Sequence, residues 1–303
     1  MNMQLTRRAR GLSDYQIKML FIIPTLALLI AMNIFPLLWS LYLSFHKYKA
    51  DRPDLPRVFI GTENYSRILS DPNIWSYFTT TAYFVVLAVA AQFFIGFALA
   101  LLLNREFKYK GIMTTLILLP MMLSPVVVGL FWKFIFDADT GIFNYFLKIF
   151  FHVEKIGWTT NPKIALFSVV IVDTWMWSPF MMLISLAGLS AIPKYLYEAA
   201  DVDRASGWFK FRHITLPMVA PLLLIALLFR TMDAFKLFDL VYVLTNEGGP
   251  GVATETVSMN LYKIAFRRWD IGQASAMAYI LLIIIIALSS IYIKYLNKVR
   301  GEA

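Results

Sequence analysis

IPKYLYEAADVDRASGWFKFRHITLP, residues 192–217, is a charged island of about twenty-five residues between two strongly apolar segments. Pro193 suits a helix start, and Lys194, Leu196, Glu198, Ala199 and Ala200 are good helix formers. The helical signal gives way near Ser206-Gly207. Leu196, Ala199, Ala200 and Asp203 recur at three- and four-residue spacing, so a short helix here presents two small alanines beside its carboxylates. Small side chains admit another protein's surface, and flanking charges fix its register. Between apolar segments, a helix-prone loop of this length is expected to touch something outside the bilayer.

The apolar segments set the class. The 303 residues are 59% hydrophobic and 16% charged, with a mean hydropathy of +0.65, which does not describe a soluble domain. Apolar runs cover 17–45, 75–103, 112–136, 164–186, 216–237 and 275–296. Each reaches the roughly 20 residues that cross about 30 Å of hydrocarbon as a helix. A period-two barrel pattern is absent, so the expected fold is all-α, a polytopic membrane protein with six transmembrane helices. Pro24 and Pro36 are expected to kink the first span. One domain results, a membrane body over 17–296 with a cytoplasmic loop at 187–214, flanked by cytoplasmic segments 1–16 and 297–303.

Lysine and arginine set the orientation. With the N-terminus inside, the inner segments carry roughly twice the Lys/Arg density of the outer ones, which favours both termini inside. The first outer loop runs against the trend, with Lys47, Lys49, Arg52, Arg57 and Arg67. The same rule explains the net charge of +9 and the pI near 9.6, so no nucleic-acid partner is implied. Thr6-Arg7-Arg8 precedes an apolar run too long for a signal-peptide core, and an uncleaved first helix is expected. Cysteine is absent, which removes disulfides and thiolate metal sites.

The charged loop resembles the cytoplasmic loop of ABC-importer permeases, E-A-A-x3-G-x9-I-x-L-P, at Glu198, Ala199, Ala200, Ile214, Leu216 and Pro217. It departs at Arg204, where the family has glycine; Gly207, three residues on, is expected to supply the chain break instead. Two outer stretches extend the likeness. F-x-G-x-E-N-Y runs from Phe59 to Tyr65, and A-F-x-x-F-D-x-x-Y-V-L-T-x-x-G-G-P from Ala234 to Pro250. Both resemble the carbohydrate-importing branch of the binding-protein-dependent permeases, on the side of the larger maltose-permease subunit without its inserted outer domain.

The resemblance implies a type I ABC importer permease fold and a non-enzymatic transport subunit in the bacterial inner membrane. Implied partners are a second homologous permease, two ATPase subunits, an extracytoplasmic solute-binding protein and a sugar or sugar-like solute. The chain binds no cofactor of its own on this reading; ATP and Mg²⁺ sit on the ATPases. Coupling to them falls on Glu198, Ala199, Ala200, Asp203, Arg204 and Gly207. The substrate path falls on Asp173, Met176, Trp177 and Phe180 before the loop, and on Arg230, Asp233, Ala234 and Leu237 after it.

Residue chemistry bears on these roles independently. Ionisable residues at membrane depth cost at least roughly 2.5–3.5 kcal/mol unless paired or in a watery cavity. Arg230, Asp233 and Lys236 share one helix side at a spacing of three. Two readings fit them, a structural ion pair within the helix or a lining of donors and acceptors for sugar hydroxyls. Trp177 and Phe180 suit stacking on the apolar faces of a sugar, and equally suit packing. Gln92 and Asn33 are polar residues that bond across to neighbouring helices on the simplest reading. His46, His152 and His213 are scattered, and no Gly-x4-Gly-Lys-Ser/Thr phosphate loop occurs. An ion-coupled carrier using Asp173, Asp233 or Arg230 would call for inverted repeats, which the sequence does not display. In the outer loops, Ser70 or Asp71 is expected to cap a short helix beginning at Pro72. Thr245–Gly251 is expected to form turns, and Tyr262–Phe266 a short surface helix.

Overall fold

Proline and polar breaks divide the apolar runs into the helices of a computed structural model that describes residues 13–153 and 155–301. Thr6-Arg7-Arg8 and most of segment 1–16 lie outside the described residues. Helix α1 (Asp14–Ser44) begins under a capping box at Ser13 and Gln16. A two-stranded hairpin, β1 (His46–Lys47) and β2 (Val58–Phe59), leads to α2 (Glu63–Ser70). Then come α3 (Pro72–Leu103), α4 (Lys110–Met122), α5 (Pro125–Ile135), α6 (Ile142–Phe151) and α7 (Ala165–Ser190). Helix α8 (Lys194–Val202) lies in the charged loop, and α9 (Gly207–Ala234) follows it. Short helices α10 (Asp239–Leu244) and α11 (Val257–Tyr262) precede α12 (Ile271–Arg300).

Five helices, α1, α3, α7, α9 and α12, are long and apolar enough to cross a membrane. The sixth expected span, 112–136, is not one helix. It is broken at Leu123-Ser124 into α4 and α5, which meet at 97°. Ser124 precedes Pro125, whose ring drives the preceding residue into the extended region, and Ser124 sits at ψ 137°. The expected cap at Asp71 is present but opens the long span itself: its Oδ1 accepts from Asn73 N at 2.9 Å, and α3 runs for 32 residues. A helix is present near Tyr262, as α11 and a following π turn, Lys263–Arg267, but it is packed into the core rather than lying on the surface: Val257, Met259, Asn260, Ile264 and Ala265 are buried.

Two prolines are absorbed rather than left as breaks. Pro36 and Pro217 each lie two residues after a π turn, Ile30–Ile34 and Phe211–Thr215. There Phe35 N donates to Ile30 O, and Leu216 N to Phe211 O, one residue farther back than in an α-helix. Widening the turn makes room where the proline ring would strike the carbonyl four residues back. Helix α1 therefore stays continuous through the position expected to kink it.

The centre is α7, most of whose span is buried against α3, α4 and α9. Gly96 lets α3 approach: a Cβ there would lie 2.5 Å from Met181 Cβ and 2.7 Å from Ser178 O. One apolar cluster (Phe84, Val172, Met176, Leu240, Met277) forms the larger core. A second (Phe97, Leu103, Met182, Leu189, Val219) receives Leu196, Tyr197 and Ile214 from the charged loop. Helix α1 buries almost nothing against the rest, and packs only its second half on α12.

This geometry predicts the outcome of two glycine substitutions. Gly96→Val is expected to destabilise the detergent-purified chain by about 1–3 kcal/mol, since α7 backbone cannot yield as a side chain would. Gly111→Val, with open space around it, should leave the melting temperature near wild type.

Candidate functional site

Two places gather the residues singled out by the sequence. The first is a polar knot at the meeting of α3, α7 and α9. Arg230 is only 2% exposed and projects from α9. Its Nε donates to Gln92 Oε1 at 2.7 Å, its Nη1 to Asp233 Oδ2 at 2.5 Å, and its Nη2 to Asp173. Gln92 Nε2 donates in turn to Asp173 Oδ2 at 2.7 Å and to the Asp173 carbonyl at 3.2 Å. The guanidinium carbon lies 5.1 Å from the Trp177 ring centre, a cation–π contact. Burying a charge on this scale requires pairing and hydrogen bonds on every side, and the three helices supply them.

The two carboxylates are not equivalent. Asp173 is 3% exposed and serves Arg230 from within the core. Asp233 is 56% exposed and lines a cavity of about 110 Å³. Met176, Trp177, Ala234, Lys236, Leu237 and Asp239 line that cavity with Asp173, Arg230 and Asp233. A second hollow, about 460 Å³, adjoins it and is walled by Trp177, Phe180, Phe229, Arg230, Met232, Asp233 and Lys236. Trp177 and Phe180 meet edge to face at 6.5 Å. All eight expected path residues thus come together, though Met176 and Ala234 are buried and belong equally to the larger apolar core.

The structure corrects two details here. Helix α9 ends at Ala234, so Lys236 and Leu237 lie in the following turn, where Lys236 N donates to Asp233 O at 2.9 Å. Only Arg230 and Asp233 share a helix side. The within-helix pair exists, but the fully buried partner of Arg230 is Asp173, 57 residues away. Gln92, a lone amide in an apolar run, does bond across to its neighbours, while Asn33 is exposed. Phe229, Asp239 and Pro125 were not anticipated; Pro125 reaches the cavity wall only because α4 and α5 are bent.

The second place is the charged loop. Helix α8 turns Glu198 and Ala199 outward, with Tyr195 and with Val202 at 83% exposure. Ala200 faces the other way and is 8% exposed, so the expectation of two outward alanines is corrected to one. The helix packs inward through Leu196 and Tyr197, and Tyr197 Oη lies 2.8 Å from Thr215 Oγ1 on α9.

The end of α8 explains the departure at Arg204. Arg204 adopts φ 51°, the left-handed conformation that glycine takes most readily. Ala205 N donates to Ala200 O at 2.9 Å, and Arg204 N to Asp201 O at 3.0 Å, which together close a Schellman motif. The chain break therefore sits at Arg204 itself. Gly207 is the first residue of α9, under a Ser206 side chain that accepts from Phe209 N at 3.2 Å; it does not replace the missing glycine. Asp203 is exposed at the helix end. Lys210 fastens the loop across to Asp201 at 2.6 Å.

Residues 92–299 match the family model of the binding-protein-dependent transport system inner membrane component. The chain belongs to that family of multi-pass inner-membrane permeases. The match opens at Gln92 and takes in both the polar knot and the charged loop. The trehalose/maltose transport system permease MalF of Thermococcus litoralis is 35% identical over 278 residues, 91% of this chain and 92% of its own. The sulfoquinovosyl glycerol permease SmoG of Agrobacterium fabrum is 34% identical over 296 residues, 97% of this chain and 95% of its own. In solved structures, a permease chain of a bacterial ABC transporter that imports the acidic polysaccharide alginate superposes with a TM-score of 0.82. It is 19% identical and covers 94% of this chain and 96% of its own, which establishes the type I importer fold.

The knot has a measurable signature. Asp173→Leu is expected to cost about 3–5 kcal/mol, because it leaves a buried cation short of its internal partner. Asp233→Asn should change stability by less than about 1 kcal/mol, given its exposure. The double variant Asp173→Leu/Arg230→Met should recover most of the loss. Thermal unfolding followed by size-exclusion chromatography reads all three, and wild-type stability in Asp173→Leu would show that the knot is not structural.

Proposed function

We infer that this chain is one membrane subunit of an ATP-driven importer for a sugar or sugar-like solute. The observation that carries this is the cavity at the end of α9. Stacking faces (Trp177, Phe180), a carboxylate acceptor (Asp233) and an ammonium donor (Lys236) converge there, between helices joined directly to the charged loop. Sugars present apolar C–H faces and hydroxyl edges, and this mixture of surfaces suits both. Relatives named for trehalose, maltose and sulfoquinovosyl glycerol transport support the same class.

On this reading both termini and the loop 187–214 are cytoplasmic, within a membrane domain over 17–296. Glu198, Ala199, Asp203 and Arg204, with Tyr195 and Val202, dock on a separate ATPase, which holds the ATP and Mg²⁺. Ala200 and Gly207 shape the loop from within. A second permease completes the cavity and covers apolar faces left open on α1 and α5. An extracytoplasmic binding protein delivers solute at the outer loops; the bacterial alginate transporter has been solved in complex with such a periplasmic protein, loaded with an alginate pentasaccharide. When the ATPases close on ATP, they carry α8 with them. Its packing under α7 and α9 passes the movement to the helices around the cavity, which open to the other side.

Glu198→Lys is expected to abolish uptake at normal expression, because a reversed charge at a docking contact costs several kcal/mol. Ala199→Trp should weaken ATPase association in detergent pull-downs. Ala200→Trp should instead lower the stability of the subunit itself, since its ring would enter the chain's own packing. Wild-type uptake in Glu198→Lys would remove α8 from the coupling path.

Trp177→Ala is expected to depress uptake about tenfold or more while the ATPases stay bound, because it removes a stacking face and leaves the loop untouched. Radiolabelled-solute uptake beside co-purification separates the two effects. Loss of the ATPases in this variant would mean that Trp177 is needed for assembly.

A further inference from the structure

The cavity's charges go further than its shape, and what they select rests on the sugar-importer reading above. Arg230 looks at first like a handle for an anionic solute, and the structure removes it from that role. Its three nitrogens are committed to Gln92, Asp233 and Asp173, and its face is covered by Trp177. A sulfonate, phosphate or carboxylate could reach it only by displacing a carboxylate that is already charge-matched. Around the same cavity stand Asp173, Asp233 and Asp239 against Arg230 and Lys236, leaving one net negative charge. Lys236 is the one cation there without an ion pair among the described residues, and Asp233 and Asp239 flank it in sequence.

We propose that Asp233 is a specificity-determining residue that makes this subunit's share of the site select uncharged polyhydroxylated solutes over anionic ones. Gln92 and Asp173 act as positioning residues. By holding Arg230 from behind, they fix Asp233 through its Oδ2 and leave Oδ1 without a protein partner among the described residues, as an acceptor for a solute hydroxyl. An anion meets Oδ1 as a like charge at close range, which disfavours it by roughly tenfold. A hydroxyl instead gains a charge-assisted bond.

The test uses the full importer complex purified in detergent, with direct binding read by saturation-transfer NMR. The probes are a neutral disaccharide, maltose, and the same disaccharide carrying a carboxylate at C6 of its non-reducing ring. Wild type should bind maltose about tenfold tighter than the acid. Asp233→Asn keeps an oxygen for Arg230 and so keeps the fold, and should bring the two affinities near parity. Lys236→Gln, which removes the free cation, should widen the gap. Equal or tighter binding of the acid by wild type, or an unchanged ratio in Asp233→Asn, overturns the proposal. If wild type binds neither probe, and neither competes in solute uptake, the sugar reading fails first and takes this inference with it.

Discussion

A single buried guanidinium organises the interior. Arg230 cannot stay charged in a low-dielectric core unless other groups surround it, and those groups come from three helices. Gln92 on α3, Asp173 on α7 and Asp233 on α9 are fixed relative to one another by this requirement. The close approach of α3 to α7 at Gly96 is a neighbouring consequence, four residues along α3 from Gln92. The same demand decides which carboxylate faces the cavity. Asp173 is consumed internally, so chemistry at the surface falls to Asp233. A carrier coupled to protons through Asp173 would need that carboxylate to leave Arg230, stranding a cation in the core.

The backbone handles its interruptions in two different ways. Where a proline meets a helix that must stay whole, a π turn widens the preceding coil, before Pro36 and before Pro217. Where two extended residues precede the proline, at Leu123-Ser124-Pro125, the helix breaks and turns through a right angle. The second outcome is what brings Pro125 to the cavity. The first keeps the end of the charged loop and α9 in one continuous body.

These outcomes show which features a sequence carries openly. Span positions were legible because apolar length is a local property, and five of six were continuous as expected. The bend at 123–124 was not, because hydropathy records how apolar a residue is and not where the chain points; Pro125 was the available signal. Spacing of three revealed the Arg230–Asp233 pair, but no spacing reveals Asp173 as partner, because that contact depends on how α7 and α9 cross. In the loop, helical periodicity gave the faces of α8 without saying which one is inward. Ala200 lies on the inner face because Leu196 and Tyr197 anchor that side. Arg204 misled for a related reason. Glycine is the usual occupant of a left-handed turn, yet the Schellman hydrogen bonds, made by backbone alone, hold a non-glycine residue there at a cost of about 1–2 kcal/mol.

That strained arginine bears on the proposed mechanism. A loop that transmits force has to be stiff at its turn and firmly seated at its base. Backbone bonds from Ala205 and Arg204, the Lys210–Asp201 pair and the Tyr197–Thr215 contact supply stiffness, while the apolar cluster around Phe97, Leu189 and Val219 supplies the seat. From Asp173 to Ser190 helix α7 is unbroken, a rod of roughly 25 Å at 1.5 Å per residue. On the proposed mechanism, displacement of α8 passes along α7 to Asp173 and Trp177, with α9 leading back from the same loop to Arg230. The polar knot joins the far ends of both rods. Motion at the loop cannot alter the cavity without either moving the knot as a unit or breaking it. Breaking it would expose an unpaired cation in the core, so the three helices are expected to move together around an intact Arg230.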